Sequence, residues 1–266
     1  MTLRTILALM TLLHAATLPV AARTLSRNTT ASPTLSLRMM ELTHDEVDSR
    51  NQRLLRENGY LLGLDLRSTF NRNGRPELHL LGQGFLGEVD YRGQTQLGEP
   101  LTSTTEYFGG AVEAALGIPY TLSNTLRITP QAGLGGRIWL RRLDNTGRFE
   151  GGGYNELWTS LYATLALRAS WRKGPHEWFA LTTLRQPLRN RVEYDFGFLD
   201  DTVKVSPGKT TMGSLEVGRQ TSRTVLSLFL EQWDSGSSGR KTVSGLDIFQ
   251  YEVEQRIIGF RFGVSL

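Results

Sequence analysis

The stretch Leu126–Arg141, LRITPQAGLGGRIWLR, decides the fold. Leu126, Ile128, Ala132, Leu134, Ile138 and Leu140 fall on one face of an extended chain. Arg127, Thr129, Gln131, Gly133, Gly135, Arg137 and Arg141 fall on the other. Successive side chains of a β-strand point to opposite faces, so a period of two with one apolar and one polar side marks a strand.

The same alternation recurs on both sides of this stretch and predicts ten strands. They lie near Thr34–Thr43, Gly59–Phe70, Leu78–Tyr91, Thr105–Ile118, Leu126–Arg141, Leu157–Trp171, Glu177–Gln186, Thr210–Arg219, Arg223–Trp233 and Glu252–Leu266. Tyr60, Leu62, Leu64 and Leu66 oppose Gly63, Asp65 and Arg67; Val112, Ala114 and Leu116 oppose Glu113. Leu161 to Leu167 oppose Thr164 and Arg168, Leu215 and Val217 oppose Glu216, and Leu226 to Leu230 oppose Ser227, Phe229 and Glu231. Ile258, Phe260, Phe262, Val264 and Leu266 oppose Arg261. The connections alternate in length. Long ones fall near His44–Asn58, Arg92–Thr104, Leu143–Asn155, Pro187–Lys209 and Asp234–Tyr251, with short ones between them. Long outer loops and tight periplasmic turns are the pattern of an outer-membrane barrel, and an even strand number brings both termini to the periplasmic side.

The first 22 residues read as a secretory signal peptide: Arg4, then the apolar run Ile6–Leu18, then small residues up to Ala22. Residues 23–33 form a polar lead-in, and 34–266 make one barrel domain. No later apolar run approaches the length of a transmembrane helix, so an exported chain is left with the periplasm, the exterior or insertion as a barrel. The sequence contains no cysteine, which excludes disulfide scaffolds, thiolate metal sites and a cysteine lipid anchor. A formal charge of +4 without a Lys/Arg run gives no basis for nucleic-acid binding.

Three features turn the apolar face outward, toward lipid. The four lysines, Lys173, Lys204, Lys209 and Lys241, avoid strand centres, whereas a solvated β-surface carries lysine as protection against edge pairing. Aromatic residues gather at strand ends, where Tyr60, Phe70, Phe108, Tyr120, Trp171 and Trp178 suit a membrane–water interface. The last strand ends the sequence with Phe260, Phe262, Val264 and Leu266 at alternate positions. This resembles the C-terminal signal read by the barrel-insertion machinery, with Leu266 where an aromatic residue is usual. The opposite face then lines a lumen, through Asp65, Arg67, Glu113, Arg127, Gln131, Arg137, Arg141, Arg168, Glu216, Glu231 and Arg261.

The segments GEVDYRGQTQ (Gly87–Gln96), ITPQAGLGGRIWL (Ile128–Leu140) and IIGFRFGVSL (Ile257–Leu266) resemble a family of small, mostly uncharacterised proteobacterial outer-membrane β-barrel proteins. The resemblance spans nearly all of the exported chain and implies fold and location, but no catalytic residues. In strand number the chain is also similar to the omptin proteases, although their active-site motifs do not align onto it.

Candidate chemistry is sparse. Asp200 and Asp201 share one loop, and His44 with Asp45 opens another; carboxylates and a histidine at an outer rim can activate water. His79 and His176 lie toward the periplasmic side. No HExxH motif, paired-histidine spacing or calcium loop appears, and the glycine runs Gly133–Gly136 and Gly151–Gly153 open no helix, so no metal or cofactor is expected. The expected function is a non-enzymatic structural or surface-interaction role. Its outer loops bear Arg50, Arg53, Arg56, Tyr194, Phe196, Phe198, Phe249 and Tyr251, and its partner is membrane lipid. A narrow anion-preferring pore is the first alternative, and a rim hydrolase using His44 on peptide or lipid is the second.

Overall fold

The computed structural model describes residues 29–72, 76–94, 100–143, 153–196, 202–243 and 246–266. The signal-peptide segment 1–22, residues 23–28 of the lead-in, Gly151, Phe198, Asp200 and Asp201 lie outside the described residues.

The chain is all-β. In order it forms β1 (Thr29–Val47), β2 (Arg53–Arg72), β3 (Glu77–Gln94), β4 (Pro100–Gly117), β5 (Tyr120–Thr121), β6 (Leu126–Leu143) and β7 (Asn155–Lys173). Then follow β8 (His176–Asp195), β9 (Val203–Val205), β10 (Met212–Gln220), β11 (Thr224–Ser235), β12 (Lys241–Val243), β13 (Leu246–Ile248) and β14 (Glu252–Ser265). Ten long antiparallel strands make a closed ring in the order β1, β2, β3, β4, β6, β7, β8, β10, β11, β14. Closure runs through β1 and β14, with Leu37 opposite Phe262, and through β8 and β10, with Leu184 opposite Gly213. A closed ring leaves no long strand with an unpaired edge, the condition for placing backbone in lipid. The short β5 pairs with β6, β9 pairs with β8, and β12 pairs with β13.

Several strands run further than the sequence pattern suggests. β1 starts at Thr29, inside the stretch read as a lead-in. The connection expected over His44–Asn58 is in fact a five-residue turn, 48–52. Asp48 closes it: one carboxylate oxygen accepts the backbone N–H groups of Arg50 and Gln52, both at 2.8 Å, and Asn51 takes a left-handed φ of 60°. His44 therefore belongs to a strand and is not a rim-loop residue. Arg53, Arg56 and Tyr194, also read as loop residues, lie in β2 and β8. β8 continues past Gln186 to Asp195 because a bulge between Leu161 and Tyr162 absorbs Pro187, which has no N–H to give to a regular ladder. At the other end of the barrel Gly174, at φ 61°, and Pro175 join β7 to β8, in a tight turn whose first position suits glycine.

The two faces of the wall are inverted relative to a soluble protein. Leu165 and Leu228 are 63% and 64% exposed, while Asp65 and Arg141 are fully buried. The outward apolar band ends toward the loop end of the barrel on each of these strands. There Met39 gives way to Glu41, Tyr60 to Asn58, Leu86 to Glu88, Phe108 to Glu106, Leu140 to Arg142 and Ile258 to Arg256. The switch is in register across the ladder: Glu41 faces Tyr60, Tyr60 faces Glu88, Glu88 faces Glu106, and Glu106 faces Arg142. A band of apolar side chains about 25 Å tall is what a bilayer core requires of a barrel. The strands continue beyond it with charged outer surfaces.

This geometry sets a depth-dependent cost for charge. Leu228→Arg, within the band, is expected to destabilise the barrel by about 2–4 kcal/mol, and Gln232→Arg, above it, by about 0–1 kcal/mol. Urea unfolding in lipid vesicles measures both; equal costs would contradict the assignment of the band.

Candidate functional site in the barrel interior

The interior has three storeys, each held by side chains that reach across the lumen to strands that are not neighbours. Toward the turn end, six residues form a continuous chain of ion pairs. Arg67 Nη2 lies 2.9 Å from Glu216 Oε2, and Glu216 also meets Arg261 Nη1. Arg261 Nε lies 2.6 Å from Asp65 Oδ2; Arg38 Nη1 lies 3.5 Å from Asp65 Oδ1, and Arg38 Nη2 3.0 Å from Glu231 Oε1. The chain ties β1, β2, β10, β11 and β14 together. Phe229 lies beneath two of its guanidinium groups, 4.5 Å from that of Arg38 and 5.2 Å from that of Arg261. Arg185 Nε reaches Glu113 Oε2 at 3.1 Å, spanning from β8 to β4. Nearer the turns, Arg127 pairs with Glu77, and Arg168 pairs with Glu177 and Gln220 while stacking on Phe179. A cavity of about 120 Å³ remains at this level, bordered by Arg67, His79, Gln131, Arg168 and Thr183.

The middle storey is aromatic. The Arg137 guanidinium sits between two indoles, 4.5 Å from Trp139 and 4.2 Å from Trp233. Trp139 stacks on Trp158 with centroids 5.1 Å apart, and Trp233 meets Tyr162 edge-on at 5.8 Å. Arg137 forms no ion pair within 4.0 Å among the described residues; the ring faces hold it, with the Glu231 carboxylate as the favourable charge further off. Two wall positions must lack a side chain for these rings to fit. A Cβ on Gly135 would lie 2.5 Å from the Tyr162 ring, and one on Gly109 2.5 Å from Trp139 Cβ.

The storey at the loop end is acidic and centres on Arg141. Its Nη2 lies 2.8 Å from Glu57 Oε1, and its Nη1 lies 2.8 Å from Glu156 Oε1 and 3.4 Å from Glu46 Oε1. Glu57 also accepts hydrogen bonds from Thr105 Oγ1 and Tyr107 OH, and Glu156 accepts one from Trp158 Nε1. His44 is buried beside them, its Nε2 3.7 Å from Glu46 and its Nδ1 3.5 Å from Gln255 Nε2. Tyr154, Tyr194 and Phe196 stack above as a cap. Burial, then the nearby Glu156 charge, hold the Tyr154 hydroxyl well above its ordinary pKa, so this loop residue stays neutral.

Of the eleven lumen positions read from the alternation, Asp65, Arg67, Glu216, Glu231 and Arg261 fall in one chain of ion pairs. Glu113, Arg127, Arg141 and Arg168 have separate partners, Arg137 is held by rings, and Gln131 borders the cavity. The alternation reading omitted Arg38, Glu46, Glu57, Glu77, Glu156 and Arg185. Arg38 was detectable, since Leu37 and Met39 point outward and force it inward. Glu46 and Glu57 fall in the stretch that the sequence pattern marks as a loop. Among the interface aromatics, Trp171 and Trp178 stack across the Gly174–Pro175 turn with centroids 6.5 Å apart. Tyr60 and Tyr120 are exposed, and Phe70 and Phe108 half-buried. Phe260, Phe262, Val264 and Leu266 all line the outer face of β14 or its end. Among the described residues no group of histidines and carboxylates could hold a metal ion.

No protein-family model and no curated protein matches this sequence. Solved structures do match the fold. The outer membrane protease OmpT of Escherichia coli superposes with a TM-score of 0.59 at 10% identity, covering 91% of this chain and 98% of that one. The translocator domain of the autotransporter NalP of Neisseria meningitidis gives 0.46 at 12% identity, with 96% of each chain covered. The toluene transporter TodX of Pseudomonas putida gives 0.39 at 8% identity, covering 93% and 91%. The likeness to the protease structure establishes the outer-membrane-type barrel fold and nothing about activity.

The two kinds of ion pair should differ sharply in strength. Arg141→Ala strands three buried carboxylates and is expected to cost about 3–5 kcal/mol. Arg142→Ala, one residue along but in a half-exposed pair with Glu106, is expected to cost less than about 1 kcal/mol. Denaturant unfolding followed by tryptophan fluorescence compares them; similar costs would refute the cross-lumen role.

Proposed function

We propose that this chain is a non-enzymatic outer-membrane barrel with a structural or surface-interaction role, its loops outside and both termini in the periplasm. The observation that carries this reading is closure of the interior. Arg137 between Trp139 and Trp233, with the Arg141 cluster above, occupies the lumen over the turn-end cavity, and the space left beside Trp139, Trp158 and Trp233 is only about 20 Å³. A ten-stranded barrel is narrow enough for side chains to fill, unlike the 16-stranded porins.

The reading against an enzyme rests on access. His44 is fully buried and Glu46, the carboxylate 3.7 Å from its Nε2, is buried beside it, so a peptide or lipid has no surface through which to reach them. Delivery to the membrane would follow from the N-terminal apolar segment and from the alternating Phe260, Phe262, Val264 and Leu266 presented to the insertion machinery. Tyr60 and Phe108 at the upper limit of the band, with Trp171, Trp178 and Tyr120 at the turn end, would anchor the barrel at the two interfaces.

The competing reading is a narrow pore for small anions, for which Arg67 and Arg168 beside the cavity are the relevant groups. Planar-bilayer recording separates the two. The wild-type barrel is expected to give no current above background, and Arg137→Ala with Trp233→Ala to introduce one. A wild-type current selective for chloride would replace this reading with the pore.

A further inference from the structure

The outer wall above the apolar band is not uniformly charged. On β1 to β4 and on β14 the exposed side chains there include Glu41, Glu88, Asp90, Glu106 and Glu254. Two arginines there are paired in place, Arg56 with Asp45 and Arg142 with Glu106, and Arg53, Arg92 and Arg256 are exposed singly among these carboxylates. The region where β8 meets β9 differs. Arg189 and Arg191 on β8, Lys204 on β9 and Lys209 just after it share this region with the carboxylates Glu193 and Asp195. Glu193 lies 3.0 Å from Arg191 Nε and 3.8 Å from Lys204 Nζ, while Arg189 and Lys209 form no ion pair among the described residues.

The fold assembles this patch from two chain segments. Val205 pairs with Val192 and Lys204 with Glu193. Further along, Asn190 Nδ2 donates to Gly208 O at 3.1 Å, and Thr211 Oγ1 donates to Gln186 Oε1 at 2.7 Å. Segment 203–211 is thereby laid along β8. The patch also has a defined height. Arg189 is the ladder partner of Leu161, and Leu161, Leu184 and Leu188 are all exposed apolar residues. Basic groups therefore sit where the apolar band ends, with bare leucines directly beneath them.

We propose that this patch binds the phosphate-bearing headgroup of a lipid in the facing leaflet, with its acyl chains against Leu161, Leu184 and Leu188. The inference rests on the transmembrane reading above. Guanidinium groups match phosphate oxygens in pairs and ammonium groups add point charge. The leucine strip supplies what a free phosphate cannot use. Four basic groups less the carboxylates Glu193 and Asp195 leave two net positive charges. At roughly fivefold per charge near an anionic membrane surface, the preference is on the order of twenty-fivefold.

The test uses the folded full-length barrel in phosphatidylcholine vesicles and in vesicles that also contain phosphatidic acid, with urea unfolding as the readout. Phosphatidic acid is expected to shift the wild-type equilibrium toward the folded state by tenfold or more. Arg189→Gln with Lys209→Gln should lose most of that gain, and Arg189→Lys with Lys209→Arg should keep it; both side chains are exposed, so neither variant disturbs the interior. Arg256→Gln, at the same height on β14, should keep the full gain. An equal gain in all variants would overturn the proposal in favour of unspecific surface charge. Abolition of the gain by inorganic phosphate at matched ionic strength would overturn it in favour of a free-phosphate site. Failure of the wild type to fold into phosphatidylcholine vesicles would instead reject the transmembrane reading itself.

Discussion

A guanidinium group sealed inside a narrow barrel must find its counter-charge across the lumen, and this constraint organises the structure. Removing a charge from water costs several kcal/mol unless a partner and hydrogen bonds replace the lost hydration. Arg141 meets three carboxylates from β1, β2 and β7, and Arg261 meets two from β2 and β10. Apart from Arg141–Glu156, whose strands β6 and β7 are ladder neighbours, these pairs join staves that share no backbone hydrogen bonds, so they brace the ring against changes of cross-section. Arg137 obeys the same constraint differently, with indole faces in direct contact and the Glu231 carboxylate further off.

The storeys also divide charge along the barrel axis. The six-residue chain near the turn end holds three arginines and three carboxylates. Around Arg141 there are three glutamates to one arginine, with His44 beside them. The aromatic storey between them is less polar, and its rings leave no room for a Cβ in the wall at Gly109 and Gly135. A lumen so filled is suited to rigidity, and the parts of the molecule left free to meet other molecules are the wall above the band and the loops.

Much of the wall was legible in advance because strand periodicity is a local property. In β6 the leucines and arginines announce their faces one residue at a time, and the same held for Leu226–Leu230 on β11 and Ile258–Leu266 on β14. Strand ends were not legible. His44, Asp45 and Glu46 look like the start of a polar loop because, at that height, both faces of the wall are polar: one turns to water and the other to the buried Arg141 cluster. Pro187 likewise reads as a strand terminator until the bulge opposite it is seen. The interior aromatics Trp139, Trp158 and Trp233 carry no local sign of their place, because they interrupt an inward face that is otherwise polar.

The sequence by itself determined an all-β chain of ten amphipathic strands with a polar inward face and an apolar outer one, because alternation needs only neighbouring residues to be expressed. Which arginine meets which glutamate, that His44 is buried, that Arg137 lies between two indoles, and that Lys204 and Lys209 join Arg189 and Arg191 on one patch were decided by tertiary structure alone. Such contacts depend on shear and closure of the ring, which bring together residues as far apart as Arg38 and Glu231 or Asp65 and Arg261. No local pattern encodes those separations.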